Sequence, residues 1–596
     1  MTITDLPRWR TTDLYAGLDD PALASALSAL ADDVGTLGAL YDELNIHEHG
    51  NVVTVPALER VLDATNRVTS RAATLRSYLN AFTSTDSRDA VAQQLMSRFT
   101  TTTLPLGPLR SRLTAWFGEL DEVAIEALTA GTPELEAHAH LIRRAVALAR
   151  HQMGPAEEDL AARLRPSGAG GWAKLHGNVS SVLTGTFREQ TLPVTALRAL
   201  ATDPDEAVRK EAFDAEIAAW KTVDVVMAAC LNGVKGEEGT LATRRGFTSP
   251  VGPSLLTHGI DAQTLDAMQG AVARSLPEFH RYFRAKAHAL GKSSLDWWDL
   301  FAPVGHSATP WTYDAGTRFV ERQFRAYSPA LGDFAARAFR EDWVDAGPRD
   351  GKRSGAFCMR WEGDQSRVLM NHDPSLDSVS TLAHELGHAY HNLQLAHLPP
   401  LQRETPMTLA ETASIFCETI IQNAALEQAT GEERLYALET QLLGHAQVVV
   451  DIHSRFLFEQ AVYERRAERD LVPQELCDLM TWAQRETHGD ALGTLHPYMW
   501  AVKGHYYGLP FYNYPYTFGL LFGLGLYAQY QTARTQGDEA VRDFQRRYDT
   551  LLSRTGQATP LDLAQGFGID LRAPDFWEGS LDVIRRQIAA YVELTA

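Results

Sequence analysis

Apolar residues recur at spacings of three and four along most of this chain, the spacing that gathers them on one face of an α-helix. On that periodicity helices are predicted over Pro21–Leu44, Val55–Ala81, Ser87–Thr101, Leu106–Ala130 and Pro133–His151, with short polar or Gly/Pro breaks between them. No convincing strand interrupts the stretch from Asp20 to about Leu192. The helical pattern continues from Pro193 to Gly246, with Asp203-Pro204-Asp205-Glu206 as a capped start, and over Asp261–Leu290, Tyr313–Tyr327 and Leu331–Val344. β structure is expected only after that. Gly355–Trp361 and Ser366–Asn371 are short apolar segments joined by Glu362-Gly363-Asp364-Gln365, a hairpin signal. The apolar run Tyr516–Tyr530 is too short to span a bilayer and carries Gly519, Gly523 and Gly525, so it reads as a buried core helix.

One predicted helix carries chemistry. Asp373-Pro374 offers an N-cap and a first-turn proline, Leu398-Pro399-Pro400 ends the run, and Leu376, Val379, Leu382, Ala383, Leu386 and Ala389 or Tyr390 form a buried face. Within it His384, Glu385 and His388 stand in the order His-Glu-x-x-His. Positions i and i+4 lie about 40° apart and roughly 6 Å along the axis, so both imidazoles can point at one Zn²⁺. A carboxylate between them can take a proton from an attacking water and pass it to a leaving amine. Buried histidines beside a glutamate need a reason, and a metal supplies one.

Zinc peptidases commonly use a third protein ligand and leave a fourth position open. The third-histidine position of the metzincin pattern is Gln394, and His391 replaces the glycine of that pattern, so this class does not fit. A glutamate from the following helix is the other source. Glu411 and Glu418, seven apart, would share one face, one to ligate and one to orient a histidine. Spacing does not rank them, and Glu404 in the connecting loop is a further candidate. The small residues Ala410, Thr412, Ala413 and Ser414 would let the two helices come close.

Composition narrows the partners. The 596 residues carry a net charge of −20, which argues against nucleic acid, and no long basic run reverses this. Cys230, Cys358, Cys417 and Cys477 are scattered and form no CxxC pair, so neither a disulfide framework nor a thiolate metal site is expected. The segment Met1–Arg10 lacks a basic stretch followed by an apolar one. These features fit a cytoplasmic protein with no membrane partner. Gly168-Ala169-Gly170-Gly171 lacks the Lys-Ser/Thr ending of a phosphate loop and is expected to be a turn before a helix.

Three stretches together resemble the M3 family of zinc oligopeptidases, within it the oligoendopeptidase F branch: His384-Glu-Leu-Gly-His-Ala-Tyr-His391, Ala410-Glu-Thr-Ala-Ser-Ile-Phe-Cys-Glu418 and His505-Tyr-Tyr-Gly-Leu-Pro-Phe-Tyr-Asn-Tyr-Pro-Tyr-Thr-Phe-Gly519. The resemblance implies a mainly α, two-lobed zincin-type metallopeptidase with a deep channel and a small β element near the zinc helix. It also implies an N-terminal helical region over 1–192, a catalytic region over 193–596, one Zn²⁺ per chain and oligopeptide substrates cut internally. By resemblance Glu411 is the third ligand beside His384 and His388, Glu418 a supporting acid, and Glu385 the general base. His505 and Tyr512 match the residues that bind substrate and steady the oxyanion, with Tyr514 and Tyr516 as alternatives to Tyr512. A carboxypeptidase on a related scaffold and a peptide-binding protein with structural zinc are the competing readings. Oligomeric state leaves no mark in the sequence.

Overall fold

A computed structural model describes residues 6–46, 52–306 and 310–596. The first five positions of the N-terminal segment read for a leader lie outside them. The chain is 71% helical. Among the described residues the strands are a hairpin, β1 (Thr184–Phe187) with β2 (Gln190–Pro193), and a three-stranded sheet of β3 (Val344–Asp345), β4 (Phe357–Arg360) and β5 (Ser366–Leu369).

The chain divides into two compact units. The first comprises 1–152, 309–424 and 529–568, and the second 153–308, 425–528 and 569–596.

In the first unit, helices Pro21–Glu43, Val55–Thr85 and Ala90–Thr103 bury their apolar stripes in one core that also takes Trp361 and Leu369 from the sheet. Two predicted helices are broken. Leu106–Ala130 parts into Leu106–Phe117 and Glu122–Thr129, because Asp121 caps a new start by accepting the Ala124 N–H at 2.8 Å. Pro133–His151 parts at His138 into Pro133–Ala137 and Ala139–Ala149. Sheet order is β3-β5-β4, with β5 parallel to β3 and antiparallel to β4. The predicted hairpin is therefore present, and β3 joins it where the predicted helix Leu331–Val344 ends early, at Arg340.

Against this sheet lies helix α1 (Leu376–Leu395), followed by the one-turn helix α2 (Met407–Ala410) and by helix α3 (Thr412–Gln428), which begins in the first unit. The N-cap of α1 is Ser375, whose Oγ accepts the Ser378 N–H at 3.1 Å, rather than Asp373. Asp373 instead accepts the Ser378 hydroxyl at 2.6 Å and braces the cap from outside, with Pro374 ahead of the helix.

The second unit is built from longer helices, among them Asp224–Arg244, Ala262–Ala289 and Pro574–Leu594, with α4 (Ile452–Arg466) and the start of α5 (Tyr514–Gln536). Tyr514, Phe518, Leu521, Phe522 and Leu526 of α5 are buried, as expected for its apolar run. The β1–β2 hairpin corrects the expectation that no strand precedes residue 193. Its turn residues Arg188 and Glu189 both have positive φ, 44° and 68°, the backbone of a tight hairpin turn without the usual glycine or asparagine. Gly168 is the N-cap of helix Ala169–Val182, the turn its sequence suggests.

By length and composition, one described helix, Pro21–Glu43, could cross a membrane, or two if the bent pair Glu206–Lys221 and Asp224–Arg244 is taken as one span. In the first of these Leu23, Leu27, Leu30, Leu37 and Tyr41 are buried in the core of the first unit.

Candidate active site

His384 and His388 stand on successive turns of α1, ring centroids 4.9 Å apart. Their Nε2 atoms converge on one oxygen, Oε2 of Glu411, at 3.2 and 3.3 Å. The three side chains offer ligand atoms within 4.8 Å of one another, a spacing that suits a single metal ion. Glu411 is not on a continuous helix with Glu418, as the sequence suggested. It is the hinge residue between α2 and α3, and its carbonyl accepts the Ile415 N–H at 3.0 Å as α3 begins. The Ser414 hydroxyl donates to the Glu411 carboxylate at 2.8 Å.

The three glutamates that spacing left unranked are separated by geometry. Glu418 meets the other nitrogen of His384, Nδ1, at 2.9 Å, and its second oxygen accepts the Gln422 amide at 2.7 Å. Glu404 faces Arg110 at 3.4 Å and Arg144 at 3.6 Å, and is not among the three clustered ligands. His391 is buried and bonds Thr555 Oγ1 at 2.8 Å; burial and the Arg360 charge push its pKa down to about 3.

What lets α3 come so near is Gly387, between the two histidines. A Cβ there would stand 2.5 Å from the Ala413 carbonyl oxygen and 2.6 Å from the Ser414 Cα. Only glycine tolerates such backbone approach. Glu385 is buried, and its Oε2 has no hydrogen-bond partner. Burial raises its pKa above the ordinary carboxylate value, against the pull of His384 and His388. For His384 burial opposes charge, yet bonds to Glu411 and Glu418 outweigh it and hold the pKa well above normal. The carboxylates thus favour positive charge at this point, which a proton or a cation can supply.

The second unit holds the other sequence candidates. The rings of His505 and Tyr512 stack with centroids 5.0 Å apart, and the Tyr516 hydroxyl donates to that of Tyr512 at 2.9 Å. Tyr514 is turned away, fully buried, with its hydroxyl 3.3 Å from Ser254 Oγ. Burial, then the charges of Arg455 and Lys503, holds His505 below the ordinary histidine pKa.

Residues 199–583 match peptidase family M3, and residues 116–184 match oligopeptidase F. The chain belongs to peptidase family M3. M3 peptidases are in general zinc metalloproteases. A relative in Streptococcus agalactiae, group B oligopeptidase PepB, is 24% identical over 490 residues, 80% of each chain. An oligoendopeptidase F homolog of Lactococcus lactis is 23% identical over 424 residues, 70% of this chain. The match spans 66% of that relative's length, just under two thirds. Two solved structures share the fold. One, from Chlamydophila abortus, has a TM-score of 0.82 at 19% identity, covering 99% of both chains. The other, oligoendopeptidase-F from Enterococcus faecium, has a TM-score of 0.69 at 18% identity, covering 96% of this chain and 99% of that one.

Around the M3 motifs the structure adds residues that the sequence pattern passes over. Arg455 and Glu459, one turn apart on α4, grip the neighbours of Tyr512 on either side. Arg455 donates to Asn513 Oδ1 at 3.2 Å, and Glu459 accepts the Phe511 N–H at 3.0 Å. Phe511 has φ of 50°, an uncommon backbone for a bulky residue, and its ring stacks on Tyr463 at 5.4 Å. The buried Lys235 bonds the same Glu459 oxygen at 2.9 Å. No motif announces these residues, since a charged i, i+4 pair ordinarily marks a solvated face.

Proposed function

We propose that this chain is a zinc-dependent endopeptidase that hydrolyses internal bonds of oligopeptides, with 193–596 as its catalytic region. The observation that carries the reading is the convergence of His384 Nε2, His388 Nε2 and Glu411 Oε2 beside the unpartnered Oε2 of Glu385. Two neutral imidazoles and a carboxylate, with other groups holding each in place, are a donor set that suits zinc. When bound there, zinc polarises the substrate carbonyl and makes a water acidic enough to attack near neutral pH. The rest falls to the protein. Glu418 fixes the His384 ring by engaging Nδ1, so that Nε2 faces Glu411. Glu385, buried and with its pKa raised, takes the proton from the attacking water and returns it to the leaving amine. The family resemblance gives substrate binding and the oxyanion to His505 and Tyr512 of the second unit, where Tyr516 stands behind Tyr512. The names of the relatives, oligoendopeptidase F and oligopeptidase, support oligopeptides as the substrate class. Four free thiols fit a reducing, cytoplasmic setting.

The test is cleavage of an internally quenched peptide blocked at both ends, with metal analysis of the same preparation. Cleavage with about one zinc per chain, and loss of zinc in His388→Ala and Glu411→Ala, is the expected result. A protein that cuts only from an open terminus is an exopeptidase. One that keeps its zinc without His388 binds it elsewhere.

A further inference from the structure

The histidine and glutamate cluster opens on a cavity of about 380 Å³ within the first unit, and two guanidinium groups on its wall have no part in the chemistry above. Strand β4 alternates: Phe357 packs on Trp9 and Met359 on Asn80, while Cys358 and Arg360 both face Asn392 of α1. Arg360 Nε donates to Asn392 Oδ1 and its Nη2 to the Arg403 carbonyl, each at 2.8 Å. Arg403 in turn donates to the carbonyls of Leu398 at 2.6 Å and Ala396 at 2.9 Å, just past the end of α1.

Every one of these acceptors is neutral. Each guanidinium has five N–H donors, so these bonds leave donors over on both. No carboxylate is among the groups acting on either arginine. Elsewhere among the described residues the buried arginines are paired, Arg209 with Asp299 at 2.9 Å and Arg367 with Asp13. The acids of the cavity, Glu385 and Glu411, are not among the groups acting on Arg360, and Glu411 is engaged with His384, His388 and Ser414. Cys358 has its pKa pushed up by burial and stays a neutral thiol, and His391 is neutral. Burial and the Arg403 charge lower the Arg360 pKa to about 10, so it remains a cation at neutral pH. Arg360 is half-buried, and a partly desolvated cation with no acid bonded to it is favoured by a ligand that supplies one. The planar fork of arginine matches a carboxylate.

We propose that Arg360, with Arg403 beside it, forms a carboxylate-binding subsite of this cavity and takes either the C-terminal carboxylate or an Asp or Glu side chain of the peptide. The subsite rests on the peptidase reading and adds to it. A carboxylate held on the wall that also bears His384, Glu385 and His388 sets which bond of a bound peptide comes within reach of Glu385.

Two sets of otherwise identical quenched peptides test it: free acid against amide at the C-terminus, and Glu against Gln scanned across positions on both sides of the scissile bond. The wild type is expected to favour the charged member in one set by about tenfold or more in kcat/KM, carried mainly by KM. Arg360→Gln erases that ratio, and Arg360→Lys, which keeps the charge without the fork, retains part of it with zinc content unchanged. The set that responds identifies the source of the carboxylate. Titration calorimetry of the uncleaved peptides on Glu385→Gln, against Glu385→Gln/Arg360→Gln, gives the same ratio without turnover. Equal kcat/KM for charged and uncharged members in the wild type, or a ratio that survives Arg360→Gln, overturns the subsite. A wild type that cuts none of the peptides overturns the peptidase reading instead, and the calorimetric ratio still decides the subsite.

Discussion

Buried charge is arranged differently in the interior of the second unit and around α1 in the first. In the second unit the buried cations meet carboxylates: Lys235 bonds Glu238 and Glu459 at 2.9 Å each, Lys286 bonds Glu439 at 2.5 Å and the Leu300 carbonyl at 2.8 Å, with the other Glu439 oxygen left without a partner, and Arg209 meets Asp299. Around α1 the sets are incomplete. Two imidazoles share one carboxylate oxygen, Glu385 Oε2 has no partner, and Arg360 bonds only neutral acceptors, Asn392 Oδ1 and the Arg403 carbonyl. Paired charges hold a fold in one arrangement, whereas a cation with no acid bonded to it is tolerated where something from outside completes it. The difference separates groups that hold the protein together from groups that await a partner.

The largest effect that would break this comparison is catalytic. Glu385→Gln should lower turnover by about 10²–10⁴-fold while zinc content, measured by atomic emission, stays at the wild-type level. Lys235→Met probes the other side. It leaves the buried Glu459 and the half-buried Glu238 without their cation and should cost about 3–5 kcal/mol in denaturant unfolding, part of which a second change, Glu459→Gln, restores. A Lys235→Met protein as stable as the wild type would show that the network adds nothing. Glu418→Ala removes the acid behind His384 and should weaken zinc affinity about 10–100-fold in chelator competition, with little effect on stability.

The second unit also sets a pH slope. Burial holds His453 and His488 in the second unit down to about 4. As pH falls, the unfolded chain, with histidines near 6.5, takes up protons before the folded one does. Their contribution to stability is therefore complete above about pH 6.5 and is lost between there and about pH 4, at about 1.4 kcal/mol per pH unit for each group. Unfolding midpoints recorded across that range should fall with acid, and His453→Gln should flatten the slope.

Much of this was legible in the sequence, and the misses have physical reasons. Tyr313–Tyr327 is predicted to the residue because its apolar stripe is strong and Thr312 caps it, accepting the Ala315 N–H at 3.3 Å. The strand β3 is only two residues long, too short for any alternation to register, and the β1–β2 turn hides in Arg188 and Glu189, residue types that seldom adopt positive φ. The pair His384 and His388 is visible because both ligands lie on one helix, where spacing alone sets geometry. Ranking Glu411 above Glu418 and Glu404 needed the hinge between α2 and α3, a tertiary feature. Arg455 and Glu459 act through partners more than fifty residues away, so no local pattern reveals them.

Gly387 is not one of the three clustered donors, yet it governs how close they lie. Two donors ride on one helix and the third at the head of another, so the bore of the seat between them is set by how near the two backbones can lie, and the limit is a hydrogen where other residues carry a methyl. Gly387→Ala would act as a shim, lifting Glu411 from the imidazoles while leaving every donor atom in the chain. Preference among divalent ions of different radius then becomes a property that one residue outside the coordination sphere can tune.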